Sequence, residues 1–181
     1  MKRWLVALAA AAGIGVTTWV APAAAADAPY CGIRWGSLAK QADNAAGAHL
    51  TGVRAGRHAC FDRLVLDLDG RSAGYLVRYV PAVSEDGSGR IVPLRGGARL
   101  EIIARVPAYG DDGRATYLPR NRSELVAVAG WRTFRQVAWA GSYEGQTTIG
   151  LGVRARLPFR AFALAGPGAG SRVVIDVAHR W

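Results

Sequence analysis

Few groups in this chain are arranged for covalent chemistry. Ser37-Leu38-Ala39-Lys40 has the S-x-x-K spacing of a serine nucleophile beside a lysine base. Such a site also needs S-D-N and K-T-G elements, and Lys40 is the only lysine after Lys2. Ser37 is therefore expected to cap a short helix instead. No G-x-S-x-G or H-E-x-x-H pattern is present. His49, His58 and His179 lack the mutual spacing, and the neighbouring Cys or carboxylates, of a zinc site. No metal and no cofactor is expected, and His58 and His179 read as strand-end residues with hydrogen-bonded ring nitrogens. Asp111-Asp112-Gly113 lacks the spaced oxygens of a calcium loop and reads as a turn. Asp67, Asp69, Asp176, Glu101 and Glu144 are carboxylates from which a glycosidase pair could be drawn, if two stood at the separation that chemistry requires. No catalytic residue is assigned.

The residues suit binding better. Aromatic rings stack on the apolar faces of sugars, while Arg and Asp hydrogen-bond hydroxyls, amides and carboxylates. Trp139 and Tyr143 share one parity on an expected strand, Tyr75 and Tyr79 share one on another, and Trp131 closes a strand end. Trp139, set among Val137 and alanines, reads as core. Tyr143, next to Glu144 at a turn, is the better surface candidate.

These side chains are positioned by strands. Arg63-Leu64-Val65-Leu66-Asp67-Leu68 returns as Arg172-Val173-Val174-Ile175-Asp176-Val177, each with the period of two of a half-buried strand. Arg and Asp four residues apart lie about 13 Å from each other along a strand, so each needs a partner from elsewhere. If the copies lie near a pseudo-two-fold axis, Arg63 can reach Asp176 and Arg172 can reach Asp67. Coincidence is the alternative, since Arg and Asp are common on wet strand faces.

Further strands are expected at Gly74 to Val83, Arg99 to Val106, Glu124 to Ala129, Phe134 to Ser142, Gln146 to Arg156 and Phe159 to Leu164, with Glu144-Gly145 as a hairpin turn. Residues 31 to 50 read as an arm with one or two helical turns around Ser37 to Asn44. No amphipathic helix is long enough to cover a sheet. The pattern is that of an all-β sandwich or barrel.

Residues 1–26 read as a secretory leader. Lys2 and Arg3 precede the apolar run Trp4 to Val20, and Ala24-Ala25-Ala26 supplies the A-x-A cleavage pattern. An uncleaved anchor is the alternative. Export favours joining Cys31 to Cys60, the only two cysteines, in a disulfide; two buried thiols are the alternative. The remaining chain suffices for one domain, divided as an arm over 27–50 and a sandwich over 51–181. The net charge of +10 falls to +8 when Lys2 and Arg3 leave with the leader. It is carried almost wholly by arginines scattered singly, which with export argues against nucleic acid and leaves anionic wall polymers or lipid headgroups as partners.

Four phrases resemble the AMIN-like domain of secreted actinobacterial proteins: Arg57-His58-Ala59-Cys60-Phe61-Asp62-Arg63, Gly145-Gln146-Thr147-Thr148-Ile149-Gly150-Leu151-Gly152, Leu157-Pro158-Phe159-Arg160 and Ser171-Arg172-Val173-Val174-Ile175-Asp176-Val177-Ala178-His179. The resemblance implies a non-catalytic sandwich of two similar antiparallel sheets. The broader AMIN family carries envelope proteins to peptidoglycan, and its closing strand has a similar Arg-apolar-Asp phrase. AMIN domains usually precede an amidase or a secretin, whereas here the module is expected to stand alone. The leading expectation is an envelope module that binds peptidoglycan or an associated wall polymer, through candidates Arg63, Asp67, Arg172, Asp176, Tyr143 and Glu144. A secreted protein-protein adaptor and a small wall-acting hydrolase are the alternatives.

Overall fold

The computed structural model describes residues 28–44, 47–71 and 74–181. The expected leader, residues 1–26, lies outside the described residues. Apart from one 3-10 turn, Tyr30–Gly32, every regular element described is a strand. In chain order these are β1 Lys40–Ala42, β2 Leu50–Arg57, β3 Phe61–Leu68, β4 Tyr75–Val80, β5 Val83–Ser84, β6 Ile91–Val92, β7 Ala98–Ala104, β8 Phe134–Tyr143, β9 Gln146–Val153, β10 Phe159–Ala165 and β11 Ser171–Ala178. They form a five-stranded sheet in the order β1-β4-β7-β9-β8, a four-stranded sheet β10-β11-β3-β2, and the small ribbon β5-β6. All the pairings are antiparallel.

Alternation fixes which face is buried. Leu64, Leu66 and Leu68 of β3, with Val173, Ile175 and Val177 of β11, face Val77, Leu100, Ile102, Ile149 and Leu151 of the larger sheet, and all lie in one core. The sheets are also tied by polar groups. Asp62 of β3 is fully buried, and its Oδ2 accepts the backbone N–H of Thr133 at 2.8 Å and of Phe134 at 3.0 Å, where β8 begins. Tyr75 and Tyr79, read from sequence as a possible binding pair, point inward instead. Their hydroxyls donate to the carbonyls of Ala161 at 2.8 Å and Leu157 at 2.9 Å. The ring is buried and its one polar atom satisfied, which is what a sandwich asks of an inward tyrosine.

The repeated phrases are adjacent strands of one sheet. Their register pairs Arg63 with Asp176, Val65 with Val174 and Arg172 with Asp67, so a local two-fold axis runs through the Val65–Val174 pair.

Two expected elements do not form. No helix occurs over Ser37 to Asn44; β1 does, pairing with β4, and Ser37 caps no helix but accepts a hydrogen bond from Arg156 Nε at 3.2 Å. No strand forms over Glu124 to Ala129. Asn121 imposes a turn first, its Oδ1 accepting the N–H of Ser123 at 2.9 Å, and Gly130 turns the chain again at φ 74°. Between those turns the segment makes two isolated backbone bonds to β8, Trp139 N–H to Arg122 O at 2.7 Å and Leu125 N–H to Val137 O at 2.8 Å. Conversely β2 is a full strand where the sequence pattern is broken by Gly52, Ala55 and Gly56.

The N-terminal arm is fastened at several points. Cys31 and Cys60 are disulfide-bonded, Gly36 O accepts the N–H of Phe159 at 2.8 Å, and Trp35 meets Phe61 edge to face at 5.6 Å.

Candidate cleft along the edge strand

The larger sheet carries a second layer on its outer face. Val83, Val92 and Leu94 pack on Ala138 and Ala140 as a small separate core. The glycines of the Gly145–Gly152 phrase allow this: a Cβ on Gly150 would meet Leu94 Cδ1 at 2.7 Å, and one on Gly152 would run into the carbonyl of Arg95. The ribbon β5-β6 and the segment after it thus lie directly on β8 and β9.

A bulge in β8 shapes the border of this layer. The register shifts between Trp139 and Gly141, so Trp139 faces Ile149 in the core while Tyr143 pairs with Gln146 on the other face, despite their equal parity. Gly141 takes φ 130°, and a Cβ there would meet Asp86 Cβ at 3.0 Å. Asp86 docks at the bulge through its own N–H, donated to Ala140 O at 2.8 Å, and its Oδ1 accepts the Thr148 hydroxyl at 3.0 Å.

Between the ribbon, β8 and the coil after β7 runs a cleft of two adjoining hollows that share Arg122 and Trp139. The first, about 690 Å³, holds Glu85, Arg90 and Arg95. Arg90 Nη2 bonds Glu85 at 2.7 Å, Arg122 lies 3.6 Å from the same carboxylate, and Arg95 pairs with Glu124. Gln136, buried at its base, fixes both walls: its Oε1 accepts the Arg95 N–H at 2.8 Å and its Nε2 donates to Ser123 O at 2.9 Å. The second hollow, about 440 Å³, is walled by Tyr109, Tyr117, Trp139 and Tyr143, with Asp86 among its lining. Tyr117 packs on Trp139 with ring centroids 5.6 Å apart, and the Tyr109 hydroxyl accepts the Gly145 N–H at 3.2 Å. Burial pushes the Asp86 carboxyl above its ordinary range, the Thr148 hydroxyl works against this, and nearby Glu101 adds to it.

Of the six binding candidates Arg63, Asp67, Arg172, Asp176, Tyr143 and Glu144, only Tyr143 stands in this cleft, 54% exposed on its rim. Glu144 occupies the β8-β9 turn at φ 48°, followed by Gly145 at φ 78°, and faces a separate hollow with Arg105. Arg63 and Asp176 lie on the outer face of the smaller sheet, where Arg160 also donates to Asp176 at 2.8 Å and stacks over Trp35 at 4.5 Å. Asp67 is held by Arg54, at 2.7 and 2.9 Å, and Arg172 donates to Ala165 O at 3.1 Å. Of the five carboxylates weighed for glycoside hydrolysis, Asp67, Asp176 and Glu101 are each spent in an ion pair with an arginine, and Asp69 is held by the backbone N–H of His49 at 2.6 Å and by its ring Nδ1 at 3.0 Å. His179 uses both ring nitrogens, on His58 O and the Thr133 hydroxyl, each at 3.0 Å, whereas His58 stacks its ring on Phe61 at 4.5 Å. Trp131 stacks on Phe134 at 5.9 Å.

No curated protein and no solved structure matches the chain. Residues 48–179, which run from just before β2 to just past β11 and contain every residue of the cleft, match the family model of the AMIN-like domain. The chain belongs to the AMIN-like domain family.

Proposed function

We propose that this protein is a non-catalytic module of the cell envelope that binds peptidoglycan or an associated wall polymer, with the cleft along β8 as its binding face. Family membership supports an envelope role. The observation that carries the binding site is the cleft's two-part lining: arginines Arg90, Arg95 and Arg122 toward one end, rings Tyr109, Tyr117 and Tyr143 toward the other. A wall polymer presents both complements, anionic groups for guanidinium forks and sugar faces for rings. The expected leader and the net charge, +8 once Lys2 and Arg3 leave with it, favour an anionic extracellular surface over other partners. On this reading the Arg63, Asp176, Arg160 cluster holds the sheet together, because the carboxylate that both arginines engage is fully buried.

The test is retention of the protein without residues 1–26 on purified wall sacculi, before and after anionic polymers are stripped. Specific binding saturates, persists on stripped sacculi, and survives in part as salt shortens the Debye length from about 10 Å to 3 Å. Absence of retention overturns the reading in favour of an adaptor. Release of soluble sugar or peptide fragments overturns it in favour of a hydrolase.

A further inference from the structure

Asp86 is a carboxylate held in the aromatic half of the cleft without a cation. Its neighbours have theirs: Glu85 holds Arg90 and Arg122, and Glu101 holds Arg78 at 2.8 Å. Among the described residues no ion pair forms to Asp86. Thr148 and the backbone bond to Ala140 fix its position, so one oxygen is engaged and the other, Oδ2, is shut from solvent with no hydrogen-bond partner. A buried acceptor left unmade costs more than a typical hydrogen bond returns. A basic chain with arginine to spare has placed none here, although Arg122 lines the same hollow and turns instead to Glu85.

The walls around Asp86 specify the missing group. Tyr109, Tyr117, Trp139 and Tyr143 line the hollow with it. Aromatic faces attract cations, and rings combined with a carboxylate make the usual receptor for an ammonium group. A neutral hydroxyl could satisfy Oδ2 but would gain nothing from the ring quadrupoles, and an anion would be repelled. Tyr143 and Leu118, 54% and 81% exposed, line the same hollow on its solvent side.

We infer that the tyrosine-lined half of the cleft is a binding site for a primary ammonium group, with Asp86 as its counter-ion. The inference rests on the reading of this cleft as the ligand-binding face and names the chemistry of one end of it. On that reading the ammonium is an amine of the wall.

The test uses three small probes, propylammonium, glucosamine and N-acetylglucosamine, titrated at fixed ionic strength while the backbone amides of Asp86, Gly141 and Thr148 are followed by NMR. Propylammonium and glucosamine give saturable shifts at these amides and N-acetylglucosamine does not. Asp86→Asn, which keeps an acceptor for the Thr148 hydroxyl, weakens the two amines at least tenfold, with an unchanged amide spectrum elsewhere. Equal shifts from N-acetylglucosamine, no shift from propylammonium, or propylammonium binding that survives Asp86→Asn each overturn the inference. Sacculi with acetylated amines identify the source: lower retention on them places the ammonium in the wall, and unchanged retention together with probe binding places it on a protein. Retention on sacculi that is untouched by Asp86→Asn, with no probe binding, sinks the ammonium site alone and leaves the proposed function standing.

Discussion

Arg63 and Asp176 stand directly opposite on β3 and β11 and meet through one edge of the guanidinium in a bidentate pair, Nε to Oδ1 at 2.6 Å and Nη2 to Oδ2 at 2.8 Å. Arg172 and Asp67 have the same backbone relationship and make no such pair, because Arg54 on β2 claims Asp67. The local two-fold axis is therefore obeyed by the main chain and broken by the side chains.

Unequal costs follow. Asp176 is fully buried, and removing Arg63 strands its carboxylate with Arg160 alone. Arg63→Ala is expected to cost about 2 kcal/mol, below the ~3–5 kcal/mol of a fully buried pair because the arginine is partly hydrated. Arg63→Lys recovers little of this, since an ammonium cannot make the bidentate contact. Arg54→Ala, at an exposed position, and Arg172→Ala, half-buried but bonded only to the Ala165 carbonyl, cost under ~1 kcal/mol. Urea denaturation of the four variants checks the order; equal losses for Arg63→Ala and Arg172→Ala would contradict it.

The disulfide is expected to support the fold and take no part in chemistry. Cys31 and Cys60 are 29 residues apart, and a loop of that size contributes roughly 3–4 kcal/mol by chain entropy. Net stabilities of about 5–15 kcal/mol leave the reduced protein folded. Its melting temperature should fall by about 10 °C at this chain length. Calorimetry with thiol quantitation tests this, and an unchanged melt after verified reduction would defeat it.

The glycines that admit the outer layer are expected to resist substitution. A Cβ at Gly152 strikes the Arg95 carbonyl, a backbone atom that cannot swing away as a side chain can. Gly152→Ala should destabilise by about 1–3 kcal/mol and loosen the segment bearing Arg95, seen as faster amide exchange there. Gly87→Ala has open space around it but a φ of 78°, so it pays only the smaller backbone cost of roughly 1–2 kcal/mol and leaves exchange near Arg95 unchanged.

Much of the sandwich was legible because its central strands alternate cleanly. β3, β8, β9 and β11 all fall on expected strands, and of the two crossed pairs expected about a two-fold axis Arg63–Asp176 forms while Arg172–Asp67 does not. β2 was not legible: as an edge strand it tolerates Gly52 and Gly56, and its two arginines dilute the apolar period. The cleft was hidden for a different reason. Asp86, Gln136 and Tyr109 are far apart in sequence and are gathered by a ribbon folded onto glycines and by a bulge. That bulge also defeats the parity argument for Trp139 and Tyr143, since one inserted residue reverses every later side chain.

Asp86 should give the stability curve a recognisable pH dependence. Its carboxyl is raised by burial, so between its unfolded and folded pKa the folded state binds more protons than the unfolded one. The contribution of this group to stability therefore falls as pH rises through that window, the reverse of a carboxylate whose folded pKa is depressed by an ion pair. Asp86→Asn removes the desolvated charge. It should melt a few degrees above the parent at pH 7, and the difference should vanish below the ordinary carboxylate range, where both side chains are neutral. A parent that is the more stable of the two at pH 7 would show that Asp86 is satisfied as an anion.

Charge and stacking can be separated in the cleft itself. Arg122 borders both hollows and its side chain is 61% exposed, so Arg122→Ala should remove a long-range attraction without disturbing the core. Tyr143→Ala removes a ring and no charge. If the cleft binds a wall polymer as proposed, Arg122→Ala weakens retention mainly at low salt and flattens its salt dependence. Tyr143→Ala weakens it by a similar factor at every salt concentration, since stacking is not screened. Retention on sacculi measured for both variants across ionic strength tests the pair together. If both variants bind like the parent while the protein still adheres, the adhesive surface lies elsewhere, and the arginine-rich outer face of β10 and β11 is the next place to mutate.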